Sequence, residues 1–298
     1  VATVKQRWLP GVDATNREML LSIGAFVENL SVAASAASLL ANIEIVATHP
    51  RDEVIVDVKL ETAPPGNERV LRRLELRKTM RSEFDRKPLE ESDLDALAAA
   101  AGPVKYMARG QALCRYLDAT TIEANRLQAF RDEAQDELIR WVRWSNAEVR
   151  EHRDGLSLPA LEVNGLAGWV ARSFMTKESL RSTSSRERAV TMAERLVAHS
   201  AGWLILGSTD DGIRELIETG RRFQRLFLVV RERGIGLHPM SQALEEGNFR
   251  TEIAARVGVD FPQFLLRVGY VDDYGEPVSM RRPVDWFAVP TGIRSSTG

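Results

Sequence analysis

Residues 216–242 read LIETGRRFQRLFLVVRERGIGLHPMSQ. Leu216, Phe223, Leu226, Phe227 and Val230 recur on one face of a 3.6-residue period, which predicts a long helix with a buried side. Arg221, Arg222, Arg225 and Arg231 occupy much of the opposite face. Gly234 stands where a left-handed C′ residue ends a helix, and Pro239 prevents its resumption. The Gly-Ile-Gly-Leu-His-Pro-Met run reads as a tight turn whose backbone can approach a ligand.

The pattern has an earlier copy. Leu20-Leu21-Ser22-Ile23-Gly24 aligns with Leu216-Ile217-Glu218-Thr219-Gly220 at an offset of 196, and the match runs without gaps through Leu30 against Leu226 and Ala34 against Val230. Arg17-Glu18 precedes one copy and Arg214-Glu215 the other, shifted by one residue. Each helix is followed by a β-type run, Val54–Leu60 and Phe264–Tyr270. Two related modules facing each other across a pseudo-two-fold axis are the reading this supports.

Between these copies, the first helix is expected from about Asn16 to Ala41, capped by Asp13 or Thr15, with Glu18 completing a capping box. Two strands follow, Ile43–Ala47 and Val54–Leu60. Pro64-Pro65-Gly66-Asn67 is the best internal boundary. It separates an N-terminal half-module, 1–66, from a complete module, 67–290, with a tail at 291–298. Helices are predicted from Glu68, over Glu90–Ala101, at about 108–122 and 123–150, and over 186–199. Residues 151–187 form a loose arm or lid. Trp203–Ser208 reads as a central strand.

A chain of 298 residues holds one large domain or two modest ones. A net charge of −2 leaves no electrostatic footprint for nucleic acid or anionic membrane. The single cysteine, Cys114, lies in a helical run as a buried structural thiol and suits a reducing, cytoplasmic compartment. No run reaches the roughly 18 apolar residues of a membrane span. His49, His152, His199 and His238 lack metal-ligand spacing, so no metal is expected. Gly234-Ile235-Gly236 lacks the third glycine and preceding strand of a dinucleotide fingerprint, and no nucleophile-elbow or Walker-type loop is present. The six tryptophans read as packing.

The chemistry concentrates in Arg77-Lys78-Thr79-Met80-Arg81 and Arg281-Arg282-Pro283. Guanidinium forks, an ammonium and a hydroxyl are what a phosphate monoester requires, if the fold joins the two segments. The alternative is a solvated run of surface charge.

These residues carry a resemblance. RKTMRSEFDRKPLEESDLDALAAAA (77–101) resembles the opening of FMN-dependent nitroreductases, and GWLILGSTDD, GRRFQRLFLVVRERGIGLHPMSQ, FPQFLLRVGY and RRP follow in that family's order. LPGVDATNREMLLSIGAFVENLSVAA (9–34) resembles the first module of the Acg-type branch, which holds two nitroreductase-like modules in one chain. The resemblance implies an α+β nitroreductase-like fold, an antiparallel-rich sheet wrapped by long helices, as an internal pseudo-dimer. It implies FMN between the modules, with Arg77, Lys78, Thr79 and Arg81 on its phosphate and ribityl end and Arg281 and Arg282 on the phosphate. Pro239, Met240, Ser241 and Gln242 would pass under the isoalloxazine, where the Ser241 N–H could donate to N5. The activity implied is electron transfer from NAD(P)H to a small nitro, quinone or related acceptor, with no catalytic side chain; a homodimer is compatible with it. The branch also carries an Asn-x-Gln-Pro-Trp type segment ahead of the Leu-Pro-x-Val-Asp stretch, and this sequence begins after that segment. An arm covering the flavin would instead suit storage or sequestration.

Overall fold

Gly24 and Gly220 set how the chain closes on itself. In the computed structural model, which describes residues 1–64, 66–67, 69–162 and 178–289, helix α1 (Arg17–Ala36) packs along a later helix, Ile213–Val229. A Cβ on Gly24 would collide with the carbonyl of Ile217, and one on Gly220 with the carbonyl of Leu21. Leu21 and Ile217 are themselves equivalent in the repeat, at the same offset of 196. The contact is therefore reciprocal between equivalent positions of the sequence repeat. Leu20, Leu21 and Val27 join Leu216, Ile217 and Leu226 in one buried cluster around this crossing.

The repeat continues past the helices. Strand β1 (Leu39–Ile45) pairs antiparallel with β2 (Val56–Thr62), Leu39 opposite Thr62. Further on, β3 (Lys105–Ala108), β6 (Gly202–Ser208), β7 (Ile235–Pro239) and β8 (Phe261–Tyr270) form an antiparallel sheet in the order β3-β6-β8-β7, with Ile235 opposite Tyr270. The short pair β4 (Val142–Arg143) and β5 (Leu156–Ser157) lies apart. Ile235 follows Leu39 by 196 residues, so β1 and β7 stay in register with the helices; Tyr270 follows Thr62 by 208. The second strands thus align Val56, not Val54, with Phe264, and the helix Phe249–Val257 accounts for the added length.

The intervening helices are α2 (Arg69–Leu76), α3 (Glu91–Ala101), α4 (Ala112–Phe130), α5 (Asp132–Trp141), α6 (Asn146–His152) and α7 (Thr183–Ala198). The Ile213–Val229 helix is α8 and Phe249–Val257 is α9. In β6, Leu204 and Leu206 face the cluster shared by α1, α3 and α8, while Trp203 and Ile205 face a second cluster with α4 and α7. A strand covered on both faces needs an unbroken apolar run, which is what Trp203–Leu206 supplies. Cys114 is buried in the second cluster, and burial pushes its thiol up to about 11. It is a structural residue, as its sequence context implies.

Several local expectations change. Helix α1 stops at Ala36 instead of Ala41, because Ser38 turns into the left-handed region, and β1 begins correspondingly early. Asp13 does cap α1, accepting the N–H groups of Glu18 and Met19 at 3.1 and 2.9 Å, but Thr15 and Glu18 form no capping box. Gly234 is left-handed after a 3-10 turn, as read. The Gly-Ile-Gly run beyond it is strand β7, not a turn, and Gly236 leaves room for the Phe84 ring instead of for a ligand. By length and composition α1 could cross a membrane, contrary to the sequence reading. Here it is a core helix whose Glu28 is ion-paired to Arg221 and Arg225 of α8 at 3.0 and 3.1 Å.

That pairing revises the polar face of α8. Arg222 donates to the carbonyls of Ala101, Pro103 and Gly207, at 2.6–2.8 Å, closing the open end of α3. Arg231 donates to the Leu76 carbonyl at 2.9 Å and stacks on Tyr274. These arginines staple other elements to α8 and to the 3-10 turn that follows it.

Candidate functional site

Segment 77–85 leaves α2 in extended form and runs beside β7. Met80 donates its N–H to the Leu237 carbonyl at 3.1 Å, and Phe84 and Asp85 donate to His199 and Tyr270 at 3.1 and 2.9 Å. Met80, Phe84 and Tyr274 then form a small core of their own, with the Tyr274 hydroxyl donating to the Ile235 carbonyl. Lys78 Nζ donates to the Tyr274 carbonyl at 3.1 Å. This miniature core carries the chain after β8 back over residues 77–81.

The consequence is one cavity of about 490 Å³ lined by Arg77, Lys78, Thr79 and Arg81 together with Arg281 and Arg282. Phe26 of α1 and Phe287 stand at it too, as do Asp154, Gly155 and Ala160 from the 151–187 arm. Among the described residues, no carboxylate pairs with Arg77, Arg281 or Arg282. Arg77 lies over the Phe227 ring at 4.8 Å. Burial and the neighbouring Arg281 guanidinium both pull its pKa down. Like charges crowded into a partly buried site lack only a counter-anion, and a phosphate dianion is the natural one.

The arm supplies a partial substitute. Glu162 accepts the Arg81 backbone N–H at 2.9 Å and stands 3.6 Å from Lys78 Nζ. The Ala160 carbonyl accepts from Arg81 Nη1 at 2.7 Å. Burial lowers the Arg81 pKa, and the Glu162 charge opposes that. Residues 163–177 of the arm, and the tail from 290, lie outside the described residues.

Pro239, Met240, Ser241 and Gln242 are not among the residues lining this cavity. Pro239 ends β7, Met240 is buried in the second cluster, and Ser241 opens a 3-10 turn, Ser241–Leu244. The Ser241 hydroxyl accepts the Leu265 N–H at 3.2 Å. Its own N–H, as the first of a helical turn, has no intrahelical partner. Gln242 Oε1 is buried without a hydrogen bond.

What joins strand β7 to the segment 77–85 is a residue the sequence reading passed over. Arg267 of β8 is fully buried and donates to the carbonyls of Ser82, Leu196 and His199 at 2.8–2.9 Å, with the Phe84 ring 3.9 Å away. Burial draws its pKa down to about 9, with the Glu162 charge opposing. His238 Nδ1 lies 3.4 Å from Arg267. Burial, then Arg267 and Arg81, push the His238 pKa well below its usual range, so the ring is neutral at pH 7. A lone arginine in Phe-Leu-Leu-Arg-Val-Gly-Tyr was the available signal for Arg267. Glu162 and Phe26 had none, since only the fold brings them to residues 77–81.

No protein-family profile matches the chain, and no curated protein matches it by sequence. Among solved structures it is similar to the FMN-dependent nitroreductase NfnB from Mycobacterium smegmatis in complex with NADPH, at 13% identity over 74% of this chain and 97% of that one, TM-score 0.45. It is also similar to a nitroreductase-like family protein from Bacillus cereus, at 13% identity over 75% of this chain and 96% of that one, TM-score 0.40.

Proposed function

We propose that the protein is an FMN-dependent oxidoreductase that carries electrons from NAD(P)H to a small nitro, quinone or related acceptor. One observation carries this reading: side chains at 77–81 and 281–282, far apart in sequence, line a single cavity, with Arg77 and Arg281 crowded together. The donor set fits a phosphate monoester: guanidinium forks, an ammonium and the Thr79 hydroxyl. Arg77, Lys78, Thr79, Arg81, Arg281 and Arg282 would hold the phosphate end of the flavin. The Ser241 N–H and the orphaned Gln242 Oε1, which lie outside that lining, would orient its ring system. Bound FMN would supply two-electron redox chemistry, and the protein would supply placement and electrostatics. Residues 1–66 then form a half-module and 67–290 a complete one, related by the Gly24–Gly220 axis.

Incubation with FMN followed by desalting should leave an oxidised-flavin absorption band on the wild type, which NAD(P)H bleaches without oxygen. Arg77→Ala and Arg281→Ala should each lose the band. Failure of the wild type to take up FMN overturns the reading. Turnover should give parallel double-reciprocal lines, since one site serves both substrates in turn. A second reading, flavin storage, is favoured by the arm leaning on Arg81 through Ala160 and Glu162. A flavin band that persists under NAD(P)H would select it.

A further inference from the structure

An anion of the chain's own stands beside the cationic cavity, against two of the residues that line it. Glu162 holds the Arg81 N–H at 2.9 Å and lies 3.6 Å from Lys78 Nζ, the two groups closest in chemistry to a phosphate-binding N–H and ammonium. Only 14% of its side chain and 13% of that of Lys78 are exposed, so the pair is largely withdrawn from water. Its charge also reaches Arg267, the residue that ties segment 77–85 to His238 of β7. The carboxylate thus stands where Arg81 and Lys78 meet, at the edge of the cavity they line. Its backbone is left-handed, φ 59°, a conformation that a non-glycine residue adopts only when its surroundings hold it there. The contact with Arg81 and Lys78 is what the structure offers in compensation.

We infer that Glu162 is an internal competitor for the anion site, and that ligand binding proceeds by exchange of its carboxylate for the ligand's phosphate. This rests on the phosphate-binding role assigned to the cavity above. The exchange discriminates between ligand classes. A phosphate monoester brings a charge of about −1.5 to −2 and three acceptor oxygens, against one charge and two oxygens for Glu162, so the cations gain by the swap. An incoming carboxylate offers no more than Glu162 does, and an uncharged ligand offers less. The site therefore admits phosphate monoesters and excludes carboxylates of similar size. The released arm segment, 156–162, also loses the contact that holds its left-handed residue.

The test titrates the full chain with FMN, riboflavin and inorganic phosphate, comparing wild type with Glu162→Gln by calorimetry and flavin fluorescence. Glu162→Gln keeps the side chain's shape and removes its charge. The expected result is FMN binding tighter by about tenfold, inorganic phosphate tightening with it, and riboflavin unchanged. Equal or weaker FMN binding by the variant overturns the inference. If neither protein binds FMN but phosphate still binds the variant more tightly, the flavin reading fails and the competitor stands. If phosphate and FMN bind neither, both fail. A second measurement needs no variant: amide hydrogen exchange over residues 156–162 of the wild type should speed up when FMN or, failing that, phosphate saturates the site. Unchanged or slower exchange there overturns the displacement.

Discussion

The units α1–β1–β2 and α8–β7–β8 share an order of helix and antiparallel strands, with their first strands at the same sequence offset from their helices, yet they live in different surroundings. In β8, eight consecutive residues are buried, because β6 and β7 flank it and helices cover both faces. In β2 only Val56 is buried, and Leu60 is nearly half exposed. β1 covers one edge of β2, while on the other side Val1–Val4 reaches only its start, through the Ala2–Val54 bridge. The strands have diverged in polarity to match, from Phe-Leu-Leu-Arg-Val to Val-Asp-Val-Lys-Leu. The helices have not diverged at their crossing, because backbone-to-backbone approach there tolerates only glycine. The repeat is thus kept where geometry forces it and lost where burial no longer does.

The largest expected effect comes from the crossing. Gly24→Ala and Gly220→Ala each place a Cβ against a main-chain carbonyl that cannot swing aside. Each should cost about 3 kcal/mol or more, at the upper end of overpacking penalties, read as loss of the denaturant midpoint. Similar losses at the two sites support the pseudo-two-fold axis. A large loss at one and a small loss at the other would break it.

The flanks of the same crossing differ in charge, and here the two units should part. Glu28 pairs with Arg221 and Arg225, and Glu218 pairs with the same two arginines. The equivalent positions on the opposite flank, Gln224 and Asn29, are neutral amides with buried Nε2 and Oδ1 atoms that find no partner. Glu28→Ala should cost about 2 kcal/mol, less than for a fully isolated buried pair because Glu218 remains. Gln224→Ala should cost about 1 kcal/mol or less. Chemical denaturation of both variants ranks them, and a larger loss at Gln224 would show that the amides carry more than their contacts suggest.

The sequence made some of this architecture legible and hid the rest for identifiable reasons. The α8 face, the Gly234 stop and the Gly24–Gly220 equivalence could be read because period, cap and offset are local properties. The α+β class with an antiparallel sheet was what the family resemblance implied. The arginines of α8 were read only as its polar face, since periodicity separates polar from apolar but not water from Glu28 or the carbonyls of α3. Strand β3 went unforeseen because Lys105–Ala108 is short and lies at a sheet edge. For the site, residue types at 77–81 and 281–282 were legible and their meeting was conditional. It depends on Met80, Phe84 and Tyr274, whose contact no spacing announces. Residues 239–242 were placed by the resemblance, and the fold leaves them outside the lining of that cavity.

The smallest expected effect separates the two helix N-termini. Glu18 opens α1 beside Arg17, Asp13 and Glu245, whereas the equivalent residue in α8, Arg214, is exposed. Glu18 keeps 27% of its side-chain surface, yet protein encloses it, and that enclosure dominates. Burial raises its pKa from 4.5 to about 7, Arg17 opposes the rise, and the carboxylates of Glu245 and Asp13 add to it. The folded state therefore holds a proton between these two values that the unfolded chain has released. Linkage then gives the sign: stability falls as pH climbs from 4.5 towards 7 and levels off above. Glu18→Gln cannot titrate, so its melting temperature should fall less than the wild type's between pH 5 and pH 7.5. Some slope should remain, because burial also raises Glu245. Arg214→Gln should run parallel to the wild type. If Glu18→Gln also runs parallel, Glu18 is already ionised throughout, and its ion pair with Arg17 outweighs its enclosure.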